Sequence, residues 1–246
     1  MVWERNLPLF WGRLPPQLYI DIRPCSDGEM LEKATADSSN NSSQWETPTT
    51  TRTTTHPLKG VGQHSPSSAS LTTTFLLNHH STTTTTTVLV GLDIEWRPNT
   101  HRNSDNPVAT LQLCVGNRCL VFQILHSPSV PQSLVDFLVN EGHTFLGVGI
   151  EEDVEKLLED YNLNVKNFVD LRGLAESVLG ESEMKRAGLK RLAERVLGLE
   201  IEKPKRISRS RWDNAWLTAE QVQYACVDAF VSFEVGRMLY GSGNGN

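Results

Sequence analysis

Two acids, Asp93 and Glu95, stand two residues apart in the stretch VLVGLDIEW. On a strand, residues two apart leave the same face of the sheet, and the apolar residues around the pair mark a buried strand. Paired carboxylates are costly there unless something positive satisfies them; an Arg or Lys partner and a metal ion serve equally on this ground. A third acid, Asp153, closes the turn GVGIEED, which leaves the end of an apolar run and opens a helical pattern. That is the usual ligand-binding edge of an open α/β sheet, although the helix dipole alone also favours Glu151, Glu152 and Asp153 in a first turn. Tyr224 and Asp228 are four apart on a long helical stretch and so share a face; its continuation to Val231 and Val235 turns that face inward. A buried hydroxyl bonded to the carboxylate accounts for this pair as well as a site does. Taken together, four inward acids can supply the hard oxygen ligands that Mg²⁺ or Mn²⁺ prefers. Two such ions suit phosphodiester cleavage, one activating water and the other stabilising the leaving oxygen.

The elements that must position these residues follow from the pattern after Thr87. VLVGLDIEW reads as a strand, and ATLQLCVG with RCLVFQI reads as a hairpin around Gly116-Asn117, a strong two-residue turn signal. Val130–Glu141 reads as a helix, TFLGVGI as a buried strand, and Glu151–Tyr161 as a helix with Val154, Leu157, Leu158 and Tyr161 on one stripe. NFVDL is a short strand, followed by helical patterns over Arg172–Leu179 and Gly188–Leu197. Thr218 with Gln221 predicts a capping box, and Leu217 with Val222 a hydrophobic staple, at the head of the last helix. Strands alternating with helices predict an α/β domain, and the early antiparallel hairpin makes its sheet mixed.

Asp93-Ile94-Glu95, Asp153 within GVGIEEDVEKL, and Tyr224-Ala-Cys-Val-Asp228 resemble the three motifs of the DEDDy class of 3′-5′ exonucleases in the ribonuclease H-like superfamily. That class contains proofreading exonucleases, ribonuclease D and the Werner syndrome exonuclease. The string SRWDNAWLTAEQVQYACVDAFVSFEVG is similar to the Werner-type enzymes, and VGLDIEWRPN with NPVATLQLCVG to their plant branch. The resemblance covers about Val88–Leu239. It implies a ribonuclease H-like mixed sheet flanked by helices, with Asp93, Glu95, Asp153 and Asp228 binding two Mg²⁺ or Mn²⁺ ions and Tyr224 orienting the attacking water. It implies cleavage from the 3′ end of nucleic acid, DNA favoured and RNA also allowed, with release of nucleoside 5′-monophosphates. Ile94 and Trp96 would pack near the terminal nucleotide, a structural role being the plainer one for Trp96. Lys156 would neutralise the site or balance Glu152. The competing reading is a catalytically weak nucleic-acid-binding or scaffold module of the same fold, which the presence of all five signature residues opposes. The chain carries no helicase motif, so any coupling to unwinding implies a separate helicase partner.

Charge is segregated along the chain. The net charge is −6, yet Glu141–Glu183 holds 11 acids against 3 bases, and Met184–Trp212 holds 10 bases against 3 acids. The basic block is long enough to hold several phosphates, with Lys203, Lys205, Arg206, Arg209 and Arg211 the expected contributors; a solvated helix face with a basic loop explains it equally simply.

Of the 53 positions from Thr35 to Thr87, 26 are Ser or Thr, too little apolar material to offset the entropy of ordering. The expected organisation is therefore a low-complexity, largely disordered segment over 1–87, with LTTTFLLNHH as an apolar island, a folded domain over 88–240, and a flexible tail over 241–246. No apolar run reaches the 18 residues of a membrane span and no secretory h-region is present, so a soluble protein of the nucleus or cytoplasm is expected, with no membrane partner. Four Cys are too few for a disulfide scaffold; Cys114 and Cys119 should face each other across the hairpin as reduced thiols.

Overall fold

The computed structural model describes residues 17–24, 30–34, 87–101 and 105–243. They form a mixed sheet in the order β2-β1-β5-β4-β3-β6-β7. The strands are β1 (Gln17–Pro24), β2 (Met30–Ala34), β3 (Val88–Trp96), β4 (Val108–Val115), β5 (Arg118–Phe122), β6 (His143–Gly147) and β7 (Phe168–Asp170). β3 pairs antiparallel with β4 and parallel with β6, which is parallel to β7. The predicted hairpin joins β4 to β5 with Val115 opposite Arg118, and Gly116 takes φ +60°, a conformation open to Gly at no steric cost. Cys114 and Cys119 are directly opposed in this hairpin and are not joined by a disulfide.

The helices are α1 (Gln132–Leu138), α2 (Ile150–Tyr161), α3 (Leu171–Leu179), α4 (Leu189–Leu192), α5 (Lys205–Ser208) and α6 (Ala219–Gly243). The pattern read over Gly188–Leu197 divides into α4 and a π-turn at Ala193–Leu197, which ends at Gly198 with φ +65°. Thr218 and Gln221 form the capping box: the Thr218 N–H donates to Gln221 Oε1 at 2.9 Å, and the Gln221 N–H to Thr218 Oγ1 at 3.2 Å. Among the described residues no helix is long and apolar enough to cross a membrane.

Alternation along β3 divides the core. Val90, Leu92 and Ile94 pack with Leu134, Phe137, Val154 and Leu157 of α1 and α2 on one face. On the other face α6 lies against the sheet through Ala225, Ala229 and Phe233, with Val231, Val235 and Leu239 continuing the contact toward α3 and α4. Its approach is close enough that a Cβ on Gly91 would stand 1.9 Å from the Ala229 carbonyl oxygen and 2.8 Å from the Phe233 nitrogen. A Cβ on Gly236 would meet Leu146 Cδ1 at 2.3 Å.

The sheet and the last helix reach past the expected domain limits. Gln17–Pro24, within the segment read as a leader, pairs antiparallel with β5 and with β2; QLYIDI looks isolated in sequence because its partner strand lies a hundred residues away. At the other end α6 runs on through Gly241–Gly243, part of the expected tail. The disorder expected between Thr35 and Thr87, and the island LTTTFLLNHH, lie outside the described residues apart from Thr87 itself.

Because the obstruction at Gly91 is backbone, which cannot rotate away, Gly91→Ala should cost about 3 kcal/mol. Gly173, in α3 with open space where its Cβ would stand, should instead gain ~0.5–1 kcal/mol as Ala. Urea denaturation of the two variants checks both signs.

Candidate active site

Gly91, Asp93 and Glu95 share the face of β3 that α6 covers, and Asp228 precedes Ala229 on the turn of α6 that touches Gly91. The close approach therefore drives Asp228 against the strand acids. Asp93, Glu95 and Asp228 each bring a carboxylate oxygen within 4.8 Å of the other two. Asp228 is 3% exposed. Asp93 Oδ2 is buried with no hydrogen-bond partner, as is Oε1 of Gln112, the residue opposite Asp93 on β4.

Asp153 is carried to the rim by β6 and α2. Gly149 precedes the helix at φ +73°, and the far end of α2 is pinned to β4. There Tyr161 donates to the Val108 carbonyl at 2.6 Å, and the Val108 N–H donates to Asp160 at 2.7 Å. Asp153 lies outside the 4.8 Å cluster but close enough to raise the pKa values of Asp93 and Glu95.

Tyr224 lies one turn before Asp228, is 8% exposed, and donates its hydroxyl to the Asp228 carboxylate. Behind it stands Trp212, fully buried, with ring centroids 6.1 Å apart.

The cation at this cluster is Lys203. Its Nζ lies 2.6 Å from Asp228 Oδ2 and 5.4 Å from the centroid of the Tyr224 ring. The sequence reading puts Lys203 in a surface track for phosphates; the structure turns its side chain inward, because Ile201 and Ile207 anchor the segment on either side in the core. The available signal was the need of inward acids for a counter-charge, which does not say which of ten bases answers it.

Burial raises every carboxyl here, and Lys203 works against the rise. Asp93 is well above the carboxylate range through burial and then Asp228, Glu95 and Asp153. Glu95 is pushed up to about 9 by burial and then Asp228, and Asp153 to about 7 by burial and Glu152. Asp228 is raised by burial against the pull of Lys203 and the Tyr224 hydrogen bond. Burial lowers the pKa of Lys203, but Asp228 and Asp93 outweigh it and the ammonium is held above its ordinary range.

The remaining expectations divide. Ile94 is 3% exposed in the α1/α2 core; alternation puts its side chain on the face away from Asp93 and Glu95, so it does not line the site. Trp96 packs partly against that same core, with Lys156 Nζ 5.7 Å from its ring. Lys156 neither enters the site nor balances Glu152: it bonds Asp105 at 3.1 Å and Asp160 at 3.3 Å. In the basic block, Arg206 is bonded to Glu220 through both guanidinium nitrogens at 2.6 Å, and Arg211 to Asp213 at 3.2 Å. Bases further back pair with the acidic block: Lys185 with Glu176, Arg191 with Glu183, Arg195 with Glu181. Lys205, at the head of α5, and Arg209, the residue after the helix, are exposed without an ion pair among the described residues. Beside Tyr224 and Asp228 opens a cleft of about 140 Å³, whose walls include Ile201, Glu202, Ile207, Gln223 and the Arg206–Glu220 pair.

Residues 69–240 match the model of a family described as 3′-5′ exonuclease. The chain belongs to the 3′-5′ exonuclease family. Among relatives of this exonuclease chain, a 3′-5′ exonuclease of Arabidopsis thaliana is 39% identical over 152 residues, covering 61% of this chain and 52% of the relative. The bifunctional 3′-5′ exonuclease/ATP-dependent helicase WRN of Mus musculus is 36% identical over 152 residues, covering 61% of this chain and 11% of that protein. The chain thus spans about half the length of the plant relative and about a tenth of the mouse one, in keeping with the resemblance to Werner-type enzymes and their plant branch. In structure it is similar to RNase D of Escherichia coli (TM-score 0.57, 21% identity, 71% of this chain and 42% of that one). It is also similar to the Nibbler EXO domain of Aedes aegypti (TM-score 0.58, 19% identity, 70% and 84%). The fold is the expected ribonuclease H-like one, its five central strands β5-β4-β3-β6-β7 extended here by β1 and β2.

A carboxyl whose pKa is higher in the fold than in the unfolded chain takes up protons on folding, so lowering the pH stabilises the fold through that group. For Glu95 the window runs between its ordinary 4.5 and about 9, and for Asp153 between 3.8 and about 7. Protein stripped of metal with EDTA should therefore melt at higher temperature as pH falls from about 9 to about 6. Saturating Mg²⁺ should reverse the slope, since bound cations require the deprotonated acids. Melting scans with and without Mg²⁺ check this; equal slopes would contradict it.

Proposed function

We propose that this chain hydrolyses phosphodiester bonds from the 3′ end of nucleic acid with the help of two divalent cations, releasing nucleoside 5′-monophosphates. The observation that carries the reading is the convergence of Asp93, Glu95 and Asp228 within 4.8 Å, in a chain of the exonuclease family. The donor set fits Mg²⁺ or Mn²⁺: all ligands are hard carboxylate oxygens, and Asp93 Oδ2 is a buried acceptor with no donor, a costly arrangement that a cation relieves. Asp93, Glu95 and Asp228 would hold the ions, with Asp153 closing the set from the rim. When bound, such ions lower the pKa of an attacking water and stabilise charge on the leaving oxygen.

The chain's own groups do the positioning. The Tyr224 hydroxyl is raised above its ordinary pKa by burial and the nearby carboxylates, so it keeps its proton at neutral pH. It can therefore orient a water through hydrogen bonds without acting as the base. Its own place is fixed by Asp228 in front and Trp212 behind. Cleavage at an end agrees with the names of the plant and mouse relatives, both 3′-5′ exonucleases; DNA as the favoured substrate, with RNA also accepted, is part of the proposal. Lys205, at the head of α5, and Arg209, just past its end, are exposed without an ion pair among the described residues and are the bases available to meet a backbone phosphate, whereas Arg206, on the wall of the cleft, and Arg211 are engaged by acids.

The reading is tested with a 5′-labelled duplex bearing a 3′ tail, and with single-stranded DNA and RNA, each with and without Mg²⁺ or Mn²⁺. Asp228→Asn should abolish 3′-end degradation and weaken Mn²⁺ binding together. Tyr224→Phe keeps the ring against Trp212, so Mn²⁺ binding and folding should persist while turnover falls on the order of 10² to 10⁴-fold. Full activity in Asp228→Asn would sink the metal-dependent mechanism. Replacing Lys205 and Arg209 together by Ala should flatten the slope of log affinity against log salt by about 2, while Arg206→Ala should change it far less; slopes are read from filter binding with Ca²⁺ in place of Mg²⁺.

A further inference from the structure

Lys203 raises a question that the exonuclease reading leaves open. Its ammonium stands 2.6 Å from Asp228 Oδ2, and Asp228 shares a 4.8 Å cluster with Asp93 and Glu95. Its charge draws down the pKa of each of the four acids, Asp153 included. A divalent ion held by these same oxygens would stand within a few ångströms of that ammonium, where like charges repel strongly in a partly buried site. The two cations therefore compete for the Asp228 carboxylate.

The surroundings allow the Lys to leave. Its side chain is 32% exposed, on the extended segment between Ile201 and Pro204, so the anchors at Ile201 and Ile207 need not shift when the four-carbon stem rotates. The cleft beside Asp228 is walled partly by Glu202, which offers the ammonium a second carboxylate away from the cluster.

We propose that Lys203 is an internal competitor for the divalent cations: it neutralises the carboxylate cluster until metal loads, yields its place to the metal, and thereby sets the metal concentration at which the enzyme becomes competent. Resting on the exonuclease reading, this makes Lys203 a positioning residue acting through Asp228. Its removal should raise metal affinity, opposite to what loss of a supporting ion pair would do.

The experiment uses the full chain without nucleic acid, stripped with EDTA and titrated with Mn²⁺ while free Mn²⁺ is read by electron paramagnetic resonance. Lys203→Met, which keeps length and removes charge, should tighten Mn²⁺ binding ~10- to 100-fold, the scale on which one neighbouring charge moves an ionic equilibrium. Lys203→Arg should return affinity to within about threefold of the natural protein if charge is the cause. In parallel, reductive methylation of the natural protein followed by mass spectrometry should show Lys203 reacting several-fold faster with saturating Mg²⁺ than with EDTA, against Lys185 as internal reference; this arm decides the matter if Lys203→Met fails to fold. Unchanged or weaker Mn²⁺ binding in a folded Lys203→Met, or Lys203 reactivity indifferent to Mg²⁺, overturns the role of Lys203 and leaves the exonuclease reading standing. Absence of Mn²⁺ binding to both the natural protein and the variant overturns both.

Discussion

The site depends on a backbone contact. Where α6 crosses β3, Gly91 leaves no room for a side chain against the Ala229 carbonyl, and the residue before Ala229 is Asp228. Asp93 lies two residues along the strand from Gly91, on the same face. A helix standing off by one methyl group would open the gap between Asp228 and the strand acids, so the small residues at this crossing set the size of the carboxylate cluster. The large residues around it, Trp212, Phe233 and Val231, hold the helix at that distance.

Such proximity has an electrostatic cost that the single ammonium of Lys203 relieves only in part. Asp93, Glu95 and Asp228 are each raised by burial, and the first two also by neighbouring acids, so packing alone would favour fewer charges there. The fold tolerates them because its surroundings were stabilised elsewhere: β3 has strands on both sides, α6 is capped reciprocally by Thr218 and Gln221, and α2 is tied to β4 through Tyr161 and Asp160. The cluster is a local violation of the rule that buried charges are paired, and such violations mark sites of chemistry.

What could be read from sequence was what local rules govern. Strand alternation put Asp93 and Glu95 on one face, helical spacing joined Tyr224 to Asp228, and turn chemistry placed the β4–β5 hairpin. What could not be read was set by partners distant in the chain. Gln17–Pro24 becomes a strand only because β5 offers an edge. Ile94, bracketed by two site acids, belongs to the opposite face, a consequence of the same alternation that was not carried through to its neighbour. The acidic and basic blocks suggested a polyanion track, yet much of that segregation resolves into contacts between the blocks themselves, such as Glu181 with Arg195. Charge counted along a sequence cannot distinguish a surface awaiting phosphates from one already neutralised by its own acids.

That neutralisation bears on how a nucleic acid would be held. If every base from Lys185 to Arg211 were free, phosphates would be attracted along the whole of that surface, and most bound orientations would leave the 3′ end far from Asp93. Pairing of Lys185, Arg191 and Arg195 with acids weakens the field away from the site, and exposed ion pairs contribute little net potential beyond a Debye length. At the cleft itself Arg206 is paired with Glu220, while Lys205 and Arg209 carry no ion pair among the described residues. Within the block Arg186, Lys205 and Arg209 are the bases without an ion pair among the described residues, so the positive field that remains rests on three side chains rather than ten. Under the proposed activity, recognition of a 3′ terminus would be as much a matter of where positive charge is cancelled as of where it remains.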